Sequence, residues 1–117
     1  MKKIYHLSTC STNIKILKEV KPPKDIELID IKVKNISAND LDYAAKIIGS
    51  YEALFSRKAI KYRELGLAKV NLSEERIRKL ILDEYTFLKR PVAIIGKNIF
   101  TGNTKETIEN LKATLKH

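Results

Sequence analysis

Ile4-Tyr5-His6-Leu7-Ser8-Thr9-Cys10-Ser11-Thr12-Asn13 decides how the rest of the chain is read. Its apolar start, from Lys3 to Leu7, predicts a strand. The strand breaks at small hydroxyl residues, and the sole cysteine sits at the break. A helical pattern follows at once, with Ile14, Leu17 and Val20 recurring at steps of three over about Thr12 to Val20. Cys10 is therefore expected in a strand-to-helix turn, at or just before a helix N-terminus. Backbone N–H groups there have no intrahelical partner, and the positive end of the dipole favours an anion. A thiol so placed ionises more readily than a free one. Ser11, Thr12 and Asn13 are the residues whose backbone N–H groups could face that anion.

Downstream, Lys21-Pro22-Pro23-Lys24 ends the helix, and Ile26 to Ile31 predicts a second strand apolar enough to be covered on both faces. Strand, helix and strand make a βαβ unit, expected to be parallel and right-handed. Helical patterns come next. Ser37 with Asp40 three residues on opens one, whose face is Leu41, Ala44, Ala45 and Ile48, and Gly49 stops it. Tyr51 to Lys58 predicts a short helix, and Ser73 caps another that carries Ile77, Leu80 and Ile81. After Lys89-Arg90-Pro91, Val92-Ala93-Ile94-Ile95 predicts a buried strand. Gly96-Lys97-Asn98 predicts a tight turn, and Ile99-Phe100-Thr101 an antiparallel return. Asn103 and Glu106 have the spacing of a capping pair for a last helix bearing Ile108, Leu111 and Leu115. The fold class is α/β with a mixed sheet: β-α-β, a helical insertion, then β-β-α.

Composition bounds the function. The 117 residues suit one domain, 1–117, and 44% of them are apolar. No apolar run approaches the ~20 residues that span a bilayer, and the segment behind Met1-Lys2-Lys3 is too short for a secretory signal. One cysteine excludes an internal disulfide, and a lone thiol suits a reducing compartment, so a cytoplasmic location is expected. The formal charge of +9 permits anionic partners, but no block of five like charges appears and no nucleic-acid-binding motif is visible. Nucleic acid and membrane are not expected partners, and no metal ligand set is read.

The element order, with a thiol after strand one and a proline just before strand three, is the thioredoxin-like plan. The chain also resembles one branch of it, the glutaredoxin-linked arsenate reductase (ArsC) family and its Spx-type relatives. The markers are Tyr5-His6 followed by Cys10-Ser11-Thr12, then Leu54-Phe55-Ser56-Arg57-Lys58 with Leu65-Gly66-Leu67, then Leu88-Lys89-Arg90-Pro91-Val92. The resemblance runs from Lys3 to about Leu111. It implies that Cys10 is the nucleophile, that Arg57 and Arg90 hold an oxyanion, and that Pro91 is a cis-proline shaping the thiol pocket. His6 is a residue that could tune the thiolate. The implied function is a monothiol reductase of a small oxyanion or disulfide, with no bound cofactor and with glutathione or glutaredoxin as reductant.

Two departures matter. The family's reductases carry a third arginine after the last strand, whereas no arginine follows Arg90 here. Gly102 or Asn103 occupies that region, and Lys97 and Lys105 are the nearest cations, so arsenate reduction is expected to be weak. Asn13 stands where some Spx-type regulators have a second cysteine, which excludes a Cys-x-x-Cys switch. The alternative function is an Spx-like adaptor that binds RNA polymerase or another protein, with Cys10 vestigial. Each site residue also has a structural reading: Cys10 as a small buried hydrophobe, Arg57 paired with Glu52, and Arg90 merely preceding a structural proline.

Overall fold

The apolar runs that alternate or cluster over four or five residues become strands, in a computed structural model that describes residues 1–115. They are β1 (Lys2–His6), β2 (Glu27–Asp30), β3 (Val92–Ile95) and β4 (Asn98–Thr101), in the order β2-β1-β3-β4. β1 and β2 are parallel, with Ile4 opposite Leu28, as a helical crossover requires. β3 runs antiparallel to β1, placing Ala93 opposite Ile4, and β4 returns antiparallel to β3 through the Gly96–Lys97 turn. Thus the sheet is mixed, the topology is thioredoxin-like, and β1 and β3 are its two central strands.

Helix α1 (Ser11–Val20) and helix α5 (Lys105–Leu115) share one core with the sheet. Ile4 and Ala93 from the central strands pack with Ile16, Val20, Ile26, Leu111 and Leu115, all buried. Lys112 and Glu19 add an ion pair between the two helices at 3.5 Å. Lys21 ends α1 in the left-handed region at φ 47°, and its N–H closes on the Leu17 carbonyl before the two prolines. β2 departs from expectation. It is an edge strand, and Leu28 is 48% exposed while Ile29 on the other face is buried. Its apolar run is therefore not covered on both sides.

The chain forms two compact units: Met1–Lys34 together with the stretch from Arg90 onward, which holds the sheet, and Asn35–Lys89. The second unit is helical, with α2 (Ala38–Ile48), α3 (Ile60–Glu64) and α4 (Glu74–Asp83). Serines open two of these helices as the sequence predicts. Ser37 Oγ accepts from Asp40 N–H and Ser73 Oγ from Arg76 N–H, each at 3.1 Å. Gly49, at φ 113°, ends α2 in a conformation costly for any residue with a Cβ. Replacing Ser37 by alanine is expected to lower unfolding stability by about 1 kcal/mol, read as a shift in the denaturant midpoint at unchanged slope.

The predicted helix over Tyr51 to Lys58 is not formed. Only Glu52–Leu54 makes a 3-10 turn, and Phe55 lies in an antiparallel bridge with Leu88. Ser56 N–H donates to the Phe87 carbonyl at 2.7 Å, and Lys89 N–H to the Leu54 carbonyl at 2.9 Å. These partners satisfy the backbone groups that a helix would use, and Phe55 stacks on Phe87 with ring centroids 5.3 Å apart. At α5 the cap is also displaced by one residue. Thr104 Oγ1, rather than Asn103, accepts from the Thr107 N–H.

Candidate active site

The sequence predicts a turn between β1 and α1, and the structure shows what closes it. Cys10 N–H donates to the Leu7 carbonyl at 3.0 Å, and the Cys10 carbonyl accepts from Ile14 N–H at 3.1 Å. Cys10 is the N-cap of α1, extended at φ −93° and ψ 114°, with a free, half-buried thiol. An N-cap side chain is where an oxygen would accept the orphan N–H groups of the first turn. Sulfur is larger and reaches them at longer range. It makes no cap bond of ordinary geometry, yet the Thr12 and Asn13 N–H groups act on it. The first turn of α1 carries no acidic residue to compete. Ser11 is exposed and begins the helix.

Asn13 is buried, and both ends of its amide are used. Its Oδ1 accepts Leu7 N–H at 3.0 Å, and its Nδ2 donates to Cys10 Sγ at 3.5 Å. Arg90 stands just before β3, the strand beside β1, at the end of the sheet where β1 leads to Cys10. Its guanidinium hydrogen-bonds to Cys10 and adds its charge. The Arg90–Pro91 peptide bond is cis. The Pro91 carbonyl accepts from Gly102 N–H at 3.0 Å, so the loop after β4 lies against the segment that carries Arg90.

These contacts set the thiol's acidity. Burial pushes it up, and the N–H groups of Asn13 and Thr12 followed by the charge and hydrogen bond of Arg90 bring it down, to a net value below an ordinary thiol. The ionisation is coupled to folding. A group whose folded pKa is depressed adds stability above its unfolded value, about 8.5 for a thiol, and loses it as pH falls through the folded value. The margin of the native chain over Cys10→Ser, measured by thermal unfolding, is expected to widen from the acid to the alkaline side of that interval. A constant margin would mean that the thiolate is not favoured by the fold.

Asp30, at the end of β2, was not singled out by sequence reasoning and supports the same turn. It accepts from Ser8 N–H and Lys32 N–H, each at 3.2 Å, and from the Ser8 hydroxyl. The Ser8 hydroxyl chiefly, opposed by burial and helped by the Ser8 and Lys32 N–H groups and the charge of His6, holds its carboxyl below the usual range. No sequence signal marks that bond, because its partners are 22 residues apart. His6 sits opposite Asp30 in the parallel register. It also lines a groove of about 460 Å3 with Ser8, Ile14, Leu17 and Leu28.

Arg57 belongs to the helical unit, where its guanidinium pairs with Glu52 at 3.1 Å and lies over the Phe55 ring at 5.5 Å. Charge also divides unevenly between the units. The unit that carries Cys10 has thirteen Lys and Arg against six acids, whereas the helical unit has ten against eight. The basic residues are spread along the sequence, but the excess falls where an anion would be attracted. Among the described residues, no helix is long and apolar enough to cross a membrane.

The arrangement is a thiol at a helix N-terminus, faced by an arginine that precedes a cis-proline, on a β2-β1-β3-β4 sheet. Comparison with known proteins finds relatives similar in sequence and in fold. An arsenate reductase of Haemophilus influenzae is 27% identical over 108 residues, covering 90% of this chain and 93% of that protein. The YfgD protein of Escherichia coli K12 is 28% identical over 112 residues, covering 91% and 92%. The solved arsenate reductase of Vibrio cholerae shares the fold at a TM-score of 0.78 and 19% identity, covering 94% of this chain and 96% of that one. Residues 5–111, from the middle of β1 into α5, match the ArsC family model, and the chain belongs to the ArsC family.

Proposed function

We propose that the protein is a thiol-dependent reductase in which Cys10 is the only sulfur nucleophile, acting on a small disulfide or oxyanion with glutathione as electron donor. The observation that carries this reading is the Arg90 guanidinium on Cys10 at the N-terminus of α1, which favours the thiolate on an arsenate-reductase-family frame. Arg57 enters the reading through the family resemblance alone.

For a disulfide, the thiolate attacks one sulfur and a new Cys10 S–S bond forms as the old one breaks. The leaving sulfur departs as a thiolate beside Arg90. Glutathione thiolate then attacks the sulfur of the bound group, which frees Cys10 and carries the group away as a mixed disulfide. A second round, with Cys10 attacking the glutathione sulfur of that mixed disulfide and another glutathione freeing Cys10, releases the remaining thiol and forms glutathione disulfide, so the two rounds deliver two electrons from two glutathione molecules. No second cysteine in the chain can resolve the intermediate. The resolving thiol must therefore come from outside, from glutathione with a glutaredoxin clearing the product. A lone thiolate with this cycle needs a reducing compartment, so the proposal includes a cytoplasmic location.

The test is turnover of a small glutathione mixed disulfide, and separately of arsenate, with glutathione and glutaredoxin coupled to NADPH oxidation. Turnover of at least one substrate that vanishes in Cys10→Ser supports the proposal. Absence of both, or turnover that survives the substitution, overturns it.

A further inference from the structure

From the sequence, Asn13 is a donor through its backbone, but the structure gives its side chain a separate task. It is 1% exposed, a degree of burial that an amide tolerates only when its polar atoms are used. The Oδ1 acceptor is committed to Leu7 N–H at 3.0 Å, across the loop that joins β1 to α1. That bond fixes which way the amide lies, because an N–H donor can be met only by the oxygen end. The NH2 must then face the opposite side, where Cys10 Sγ lies 3.5 Å away.

We propose that Asn13 is the positioning residue of the Cys10 thiolate, closing the turn with one end of its amide and stabilising the charged sulfur with the other. The inference rests on the reading of Cys10 as nucleophile. A thiolate is a better acceptor than a thiol, so a donor held against the sulfur favours the ionised form. The donor is preorganised. Rotating it away would strip Leu7 N–H of its partner in a buried place, so it stays aimed at sulfur throughout the reaction. A cysteine at position 13 would complete a Cys-x-x-Cys pair and could trap Cys10 as an internal disulfide. The amide supplies an N–H instead and leaves the thiolate open to an external partner.

The experiment is the rate of iodoacetamide alkylation against pH for the native chain and Asn13→Ala, together with NMR of the Asn13 side-chain NH2 in the unaltered sequence. In Asn13→Ala the inflection should rise by about one pH unit. Alkylation on the acidic limb should be about tenfold slower, equivalent to roughly 1.4 kcal/mol of lost preference for the thiolate. The alkaline plateau should stay near native. In the native chain the Asn13 NH2 protons should titrate with the same inflection as alkylation, and that transition should disappear in Cys10→Ala. A folded Asn13→Ala with the native profile, or NH2 signals that do not follow the thiol, would overturn the proposal, leaving Asn13 a clamp for Leu7 only. The NMR arm decides the matter if Asn13→Ala does not fold. A native inflection at the ordinary thiol value is a different failure, because it removes Cys10 as nucleophile and the Asn13 proposal with it.

Discussion

Replacing Arg90 by alanine is expected to slow alkylation of Cys10 about tenfold or more on the acidic limb of the pH profile and hardly at all on the alkaline plateau. Arg90 gives the sulfur both a charge and a hydrogen bond. A hydrogen bond to a charged group contributes about 1.5–3 kcal/mol when shielded from water. Cys10 is only half-buried, so solvent screens part of that. What survives is about 1.4 kcal/mol, one power of ten in thiolate population. The sign follows from the mechanism of the probe. Alkylation consumes thiolate, so well below both inflections the rate ratio equals the ratio of thiolate fractions, and above both it approaches one. Arg90→Lys should fall between, because an ammonium keeps the charge without the planar fork. An Arg90→Ala profile that overlays the native one would show that the helix N-terminus and Asn13 suffice.

What could be read from the sequence was what local chemistry decides. The strand-turn-helix at Cys10, the serine caps at Ser37 and Ser73 and the Gly96–Lys97 turn all follow from residues within a few positions of one another. The missed features depend on partners far along the chain. Phe55 has the composition of a helix but spends its backbone neighbours' hydrogen bonds on Phe87 and Lys89. Leu28 looks like a core residue until the strand order puts β2 at an edge. Asp30 reads as the polar end of a strand, and only the register that sets it opposite His6 brings it to Ser8. At the site, Cys10 and Arg90 were legible as residues of the right chemistry. The use of the Asn13 side chain was not, because asparagine at the third position of a helix is ordinarily solvated. Only its burial shows otherwise.

Arsenate reduction is expected to be weak in the native chain and to rise by one to two decades in kcat/KM in Asn103→Arg. A tetrahedral oxyanion is held best by planar guanidiniums that donate in pairs, and no arginine follows Arg90. One lost charge-assisted contact is worth about 1.5–3 kcal/mol, which is one to two powers of ten in rate if it acts in the transition state. The hydrogen bond from Gly102 N–H to the Pro91 carbonyl holds the loop after β4 beside the segment that carries Arg90, and Asn103 is exposed there. A long side chain at position 103 starts close to the thiol side of the sheet and meets no core. Gly102 is the poorer choice. Its φ is +86°, so although a Cβ would find open space, any L side chain there carries backbone strain of about 1–2 kcal/mol. Asn103→Lys should gain less than Asn103→Arg, since it brings a charge without the fork. The readout is the ratio of arsenate to disulfide turnover under the same glutathione and glutaredoxin supply, which cancels any general change in the thiol. A native chain that already turns over arsenate at an ordinary enzyme rate would show that Arg90 and the α1 N-terminus hold the oxyanion without further help. A folded Asn103→Arg with an unchanged ratio would place the substrate's oxygens away from the loop after β4.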